Sequence, residues 1–294
     1  MGYVGRFAPS PTGPLHLGSL VAALGSFLEA RKHGGRWLLR IEDLDSARVQ
    51  PGCADEIQRT LENLGFTWDG EVQFQSRRTP LYAEALRDLQ SGGHTFECHC
   101  TRRILGQNEE TGYPGTCRNR PTGPGPAAVR FRVDESVSVS FTDAFQGPRS
   151  FAMRALGDVV VRRRDGIFAY QLAVVVDDAD QRVSDVVRGA DLLASTPWQL
   201  LIQRALRLPA PRYAHLPVVV EPDGSKLAKS RRSVPLDPKE GSGRLVDALE
   251  LLGQSPPQAL RGEACAAILS WACLHWDAAA VARVKKATIA PIAP

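Results

Sequence analysis

The stretch Arg6-Phe7-Ala8-Pro9-Ser10-Pro11-Thr12-Gly13-Pro14-Leu15-His16-Leu17-Gly18-Ser19 decides how the chain is organised. Val4–Ala8 is a short apolar run that ends at Pro9, and Pro11-Thr12-Gly13-Pro14 is a loop dense in breakers. Beyond it, Leu17, Leu20, Val21, Leu24, Phe27 and Leu28 recur at helical spacing up to the stop signal His33-Gly34-Gly35. A strand that turns through such a loop into a helix puts the loop at the carboxyl end of the strand, where open α/β sheets bind ligands. The helix start offers unpaired N–H groups to a phosphate. His16 can donate to a phosphoryl oxygen, and Gly18, with no Cβ, leaves room for an adenine ring. A lone His-x-Gly is more often an ordinary Pro/Gly turn with a surface His. Walker A and dinucleotide glycine fingerprints are both absent from the sequence.

Working outward, Trp37–Ile41 reads as a buried strand, with helices over 54–64 and 80–90. Strand, helix, strand, helix predicts an α/β fold with a parallel sheet. From His94 the chain turns rich in Gly, Pro and polar residues, then shows period-two strands at Val129–Val133 and Val137–Phe141. Ala169–Val176 and Val183–Val187 read as apolar strands, Trp198–Leu206 as a helix and Pro217–Val220 as a strand. Past Val234 only helical patterns remain, at Leu245, Leu249, Leu252 and Ala264–Leu274. The expected organisation is a catalytic domain in two halves, 1–93 and 166–235. An inserted subdomain at 94–165 separates them, and a helical region follows at 236–294.

The 294 residues are 43% hydrophobic and 23% charged, a composition that excludes wholesale disorder. No apolar run reaches the roughly eighteen residues a membrane span needs, and the N-terminus lacks a signal-peptide layout. The expectation is a cytoplasmic monomer with no membrane partner. Net charge is +4. Arg149, Arg154, Arg162, Arg163 and Arg164 cluster, as do Lys226, Lys229, Arg231 and Arg232. Such clusters are either solvated faces or contacts for a polyanion such as RNA.

Ser225-Lys226-Leu227-Ala228-Lys229-Ser230 follows the turn Pro222-Asp223-Gly224. Two Lys three apart on a Ser-flanked loop can clamp a triphosphate and neutralise charge as pyrophosphate leaves. Together, His16-Leu17-Gly18-Ser19 and Lys226-Leu227-Ala228-Lys229-Ser230 resemble the two signature motifs of class I aminoacyl-tRNA synthetases. Arg6–Gly13 narrows the resemblance to glutamyl-tRNA synthetases, since glutaminyl enzymes differ at the positions of Ser10 and Thr12. Arg40-Ile41-Glu42-Asp43-Leu44-Asp45 extends it, although Leu227 and Ala228 stand where Met and Ser are usual.

The resemblance implies a Rossmann-like catalytic domain that activates L-glutamate with Mg²⁺-bound ATP. His16, Lys226 and Lys229 would be catalytic, with His16, Gly18, Ser19 and Lys229 on the nucleotide. It implies a glutamate pocket made of Arg6, Phe7, Ala8, Pro9, Ser10, Glu42, Tyr170 and Arg188. That set makes chemical sense, because guanidinium forks hold a carboxylate and a carboxylate accepts an α-ammonium. Read alone, Glu42 suits a helix N-terminus and Arg188 an exposed surface.

Of six Cys, Cys98, Cys100 and Cys117 group within twenty residues, which in an intracellular chain favours zinc over disulfides. Three unliganded thiols in a loop are the alternative. In an extended 94–100 segment His99 points away from Cys98 and Cys100; the resemblance implies Tyr113 as fourth ligand. Only 64 residues follow Ser230, too few for the usual anticodon-reading domain. The resemblance is therefore to a shortened glutamyl-tRNA synthetase paralogue, which implies tRNA-independent activation and transfer of glutamate to queuosine at the wobble position of tRNA(Asp). The competing expectations are a synthetase core that charges a tRNA 3′ end and an inactive zinc-bearing RNA-binding paralogue.

Overall fold

A computed structural model describes residues 2–101, 113–119, 123–220, 236–237, 240–284 and 287–288. The first strand, β1 (Val4–Phe7), is buried along its whole length, and β2 (Arg36–Ile41) pairs with it in parallel. Near-continuous apolar sequence is what a strand covered on both faces requires. The short β3 (Gln73–Phe74) extends this sheet beyond β2. On the other side of β1 lies β9 (Asp185–Gly189), where Ser184 N–H donates to Val4 O at 3.0 Å. Next come β10 (Arg212–Leu216), parallel to β9, and then the hairpin of β6 (Ser138–Asp143) and β7 (Gly147–Ala152). The expected parallel α/β sheet is present, and the 94–165 stretch lends it this edge hairpin. The same stretch forms a separate antiparallel sheet of β4 (Thr95–Cys98), β5 (Ala128–Phe131) and β8 (Val159–Arg162).

Helix α1 (Leu17–Lys32) buries Leu20, Leu24 and Leu28 completely. Each such side chain contributes about 2 kcal/mol of transfer free energy. Arg31 and Lys32 sit at its negative dipole end, and Gly34 turns the chain out at φ +58°. Its backbone approaches the sheet closely at Gly25, where a Cβ would stand 2.7 Å from Leu216 Cδ1. The α2 (Cys53–Asn63) and α3 (Thr79–Ser91) helices lie where periodicity puts them, and a single turn, α4 (Met153–Leu156), follows β7.

The 169–176 run departs from expectation. It lies in a helix, α5 (Tyr170–Asp180), not in a strand. Leu172 through Asp178 are all buried, so the helix shows no polar stripe, and a short all-apolar run cannot distinguish the two periods. The acids at its end explain the choice. Asp178 accepts Arg6 Nε at 3.2 Å and Arg40 Nη2 at 2.6 Å, while Asp177 accepts Gln75, Arg78 and Tyr82. A helix brings both carboxylates to one end, facing β1, β2 and α3. Burial raises the Asp178 proton affinity, yet Arg6 and Arg40 outweigh it and hold its carboxyl below the usual range.

Downstream, α6 (Thr196–Ala205) matches expectation, whereas the predicted 183–187 strand runs two residues later. The expected 217–220 strand shrinks to β11 (Val219–Val220), since Pro217 has no N–H to give a ladder. Helices α7 (Gly241–Leu251), α8 (Cys265–His275) and α9 (Ala278–Arg283) follow. The C-terminal region is not wholly helical, because β12 (Ala287–Thr288) pairs in parallel with β11. It seals the open side of α1, where Trp276 Nε1 donates to Glu29 Oε1 at 2.7 Å.

Replacing Asp178 by Ala leaves two buried guanidinium groups without their shared carboxylate. The expected loss is about 3–5 kcal/mol in urea unfolding. A loss below about 1 kcal/mol would show that the pairing contributes little.

Candidate active site

A cavity of about 800 Å³ opens at the carboxyl ends of β1, β2, β9 and β10. Its wall contains Arg6, Phe7, Ala8, Pro9, Ser10, His16, Gly18, Ser19, Glu42, Tyr170 and Arg188. Residues far apart in sequence thus meet in one space. The loop that carries Ser10 is held by its own carbonyls: Gln50 N donates to Pro11 O, Gln50 Nε2 to Thr12 O, and Cys53 Sγ to Gly13 O. Glu42 N donates to Pro9 O at 2.9 Å, which fixes the acid against the same loop.

His16 is the N-cap of α1. Its Nδ1 accepts from Gly18 N at 3.1 Å and from Ser19 N at 3.4 Å. These two N–H groups are therefore engaged, contrary to the sequence expectation of free donors for a phosphate. The cap fixes the tautomer, because Nδ1 accepts and the proton sits on Nε2. Burial lowers the proton affinity of the ring, which stays neutral near pH 7. His16 keeps one donor, Nε2–H.

The two arginines of the cavity differ in how they are held. Arg6 is ion-paired to Asp178, which Arg40 shares. Arg188, from β9, has neutral partners: Nε donates to His215 Nε2 at 3.0 Å, Nη1 to Tyr170 Oη at 3.0 Å and Nη2 to Thr196 Oγ1 at 2.9 Å. A guanidinium has five N–H bonds. Three are used here, so one remains on each terminal nitrogen, the pair that a carboxylate takes bidentately.

Glu42 stands opposite in character. Its Oε1 is buried without a hydrogen-bond partner, 3.9 Å from Arg40 Nε. Burial pushes its pKa up to about 7, only partly countered by Arg40 and Arg6. An under-satisfied carboxylate at the cavity wall calls for a cationic partner.

Lys226 and Lys229 lie outside the described residues. Leu236 N–H donates to Leu15 O at 3.0 Å, next to His16.

In the 94–165 stretch the three thiols of Cys98, Cys100 and Cys117 lie within 4.8 Å of one another. Cys100 and Cys117 sulfurs are 3.5 Å apart, and Tyr113 Oη is 3.4 Å from Cys98 Sγ and 3.7 Å from Cys100 Sγ. With metal–sulfur bonds of about 2.3 Å, tetrahedral ligands stand about 3.8 Å apart. The cluster has that size, so three sulfurs and one phenol oxygen fit a tetrahedral ion. His99 is outside the group, although β4 ends at Cys98 and the expected strand does not extend through 99 and 100.

Sequence reading missed Asp178, Asp143, Thr196 and His215. The adjacent Asp177-Asp178 at the end of an apolar run was the available signal for the first; the other three carry none.

Metal analysis of purified protein is expected to give about one tightly held divalent ion per chain. Cys117→Ser should lose it and Tyr113→Phe should hold it more weakly. A metal-free wild-type protein would contradict the fit.

Residues 3–243 match the family described as tRNA synthetases class I (E and Q), catalytic domain. The Glutamyl-Q tRNA(Asp) synthetase of Ectopseudomonas mendocina is 54% identical over 282 residues, 96% of this chain and 95% of that protein. Its Geobacter sulfurreducens namesake is 48% identical over 293 residues, 95% and 93% of the two chains. The glutamate-tRNA synthetase structure from Elizabethkingia anophelis superposes with TM-score 0.81 at 26% identity, covering 99% of this chain and 68% of that one. No helix among the described residues is long and apolar enough to cross a membrane. The chain belongs to the class I tRNA synthetases of the glutamate and glutamine type, as an aminoacyl-tRNA-synthetase-like ligase grouped with the glutamyl-Q tRNA(Asp) synthetases.

Proposed function

We propose that the chain activates L-glutamate with ATP in the absence of tRNA and passes the glutamyl group to queuosine at the wobble position of tRNA(Asp). The observation that carries the first half is the Arg188 cradle, a buried guanidinium with neutral partners and two N–H bonds to spare. A side-chain carboxylate completes it, whereas a carboxamide presents an NH₂ to a donor. In this reading the side-chain carboxylate of glutamate sits on Arg188, with Arg6, Ser10 and Tyr170 beside it. The α-ammonium meets Glu42, and the backbone of Phe7, Ala8 and Pro9 lines the slot.

The α-carboxylate of glutamate attacks the α-phosphorus of ATP. The bond to the bridging oxygen breaks, pyrophosphate leaves with the electron pair, and glutamyl-adenylate remains. Mg²⁺ arrives with the nucleotide. No protein nucleophile is needed, so the residues act by position and charge. His16 donates Nε2–H to a phosphoryl oxygen, Gly18 and Ser19 flank the nucleotide, and Lys226 and Lys229 neutralise the departing pyrophosphate. Cys98, Cys100, Tyr113 and Cys117 hold one structural zinc ion, which ties together a subdomain with a small core of its own.

The acceptor is supported by the relatives named for it at 48–54% identity over at least 95% of this chain. A second reading, charging of a tRNA 3′ end, is favoured by the fold match to a glutamate-tRNA synthetase. Labelled glutamate and ATP separate the two. Expected are glutamate-dependent ATP–pyrophosphate exchange without tRNA and labelling of tRNA(Asp) from normal but not queuosine-deficient cells. Equal labelling of both pools would overturn the queuosine acceptor.

Glu42 adds a pH test. Its folded pKa, about 7, lies above the ordinary 4.5, so between those values the ligand-free folded state holds an extra proton. Stability from this group therefore falls as pH rises through that window. Binding an ammonium requires the carboxylate, so glutamate binding releases that proton and strengthens with pH. Affinity should be about tenfold weaker at pH 6 than at pH 8. Glu42→Gln should bind more weakly and flatten the profile; a wild-type profile that is flat across this range would contradict the role.

A further inference from the structure

His215, in β10, is tied twice to Asp143 at the end of β6. Its backbone N–H donates to Asp143 Oδ1 at 3.0 Å, and its ring Nδ1 lies 2.5 Å from Oδ2. Phe145 and Gln146 N–H groups also donate to Oδ1, at 3.0 and 2.9 Å. Burial favours the protonated acid, but the bonds from His215 outweigh it and keep Asp143 ionised. The imidazole is buried too, which keeps it neutral despite the carboxylate. With the proton on Nδ1 facing Asp143, Nε2 presents a lone pair, and that lone pair accepts Arg188 Nε–H at 3.0 Å.

His215 and Asp143 are buried to 0% and 1% exposure and are absent from the cavity wall. Neither touches what the cavity holds. We propose that His215 is a positioning residue for Arg188, taking its Nε–H so that both terminal nitrogens keep one N–H for the ligand, with Asp143 setting the tautomer that makes this possible. The inference rests on the reading that Arg188 receives the side-chain carboxylate of glutamate. A triad of fixed bonds also explains why the guanidinium needs no acid in contact with it. A carboxylate there would occupy the fork, whereas a neutral imidazole holds the third nitrogen and leaves the charge facing the cavity.

A merely structural role would make His215 a brace between β6 and β10, and two substitutions divide the possibilities. An Asn carboxamide reaches the place of Nδ1, so His215→Asn keeps a donor to Asp143 and loses Arg188. A Gln carboxamide reaches the place of Nε2, so His215→Gln keeps an acceptor for Arg188 and loses the ring bond to Asp143. Glutamate-dependent ATP–pyrophosphate exchange is measured for both as separate KM values for glutamate and ATP.

Positioning predicts that H215N raises KM for glutamate about tenfold or more, the usual effect of a lost charge-assisted bond, with KM for ATP within about twofold. H215Q should stay within about threefold of wild type for glutamate even where its melting temperature falls. The H215N arm stands by itself, since it keeps the bond to Asp143 and its own ATP KM reports an intact fold. An unchanged glutamate KM in H215N, parallel rises in both KM values, or H215Q no better than H215N would overturn the inference. Wild-type protein without glutamate-dependent exchange would instead refute the function on which it rests, a separate result.

Discussion

The carboxylate of Asp178 joins the parts of the site before any ligand arrives. It lies buried between Arg6 of β1 and Arg40 of β2, and it reaches them from the end of α5. An ion cluster of this kind is not a source of large net stability, since desolvating three charges costs about what their attraction returns. Its value is geometric. Helix α5 is held against the strands at one rotation and one depth, and from that placement Tyr170 at its first turn meets Arg188 at 3.0 Å. Arg40, locked by Asp178 and by Gln181, in turn sits beneath Glu42. Arg6, Glu42 and Arg188 are therefore each positioned through a contact that leads back to Asp178.

The cavity then sorts its charges by how each is compensated. Arg6 is paired inside the protein, Arg188 has neutral neighbours, and Glu42 has only Arg40 at 3.9 Å and no hydrogen bond to its Oε1. A ligand that carries both a carboxylate and an ammonium relieves the last two together. One that carries a single charge leaves the other uncompensated in a buried place, which is expensive. His16 follows the same economy of donors: its Nδ1 satisfies the helix end, and one N–H remains on a ring that lines the cavity.

Much of this was legible in the sequence. The Pro/Gly loop after β1, the stripe of α1 and the buried strand at Trp37–Ile41 are local patterns, and the structure has them where the periods place them. The site residues between Arg6 and Ser19, with Glu42, Tyr170 and Arg188, are those the family resemblance implies, and all line one cavity. Helix α5 was not legible, because burial on every side erases the 3.6-residue stripe and three consecutive Val residues favour a strand locally. Asp177 and Asp178 acquire meaning only beside Arg6, Arg40 and Arg78, all distant in sequence. Likewise nothing in the local pattern around His215 distinguishes a ring that accepts from an arginine from an ordinary buried imidazole. Long-range charge pairing and tautomer choice are written in three dimensions only.

The proposed function requires that the cavity bind the side-chain carboxylate of glutamate on Arg188 with no RNA present. Calorimetric titration of the tRNA-free protein with glutamate and with glutamine tests this most directly. Saturable binding of glutamate, with glutamine at least about a hundredfold weaker because its amide NH₂ meets the Arg188 donors, is the predicted result. Equal affinity for the two amino acids, or no glutamate binding until tRNA is added, would contradict it.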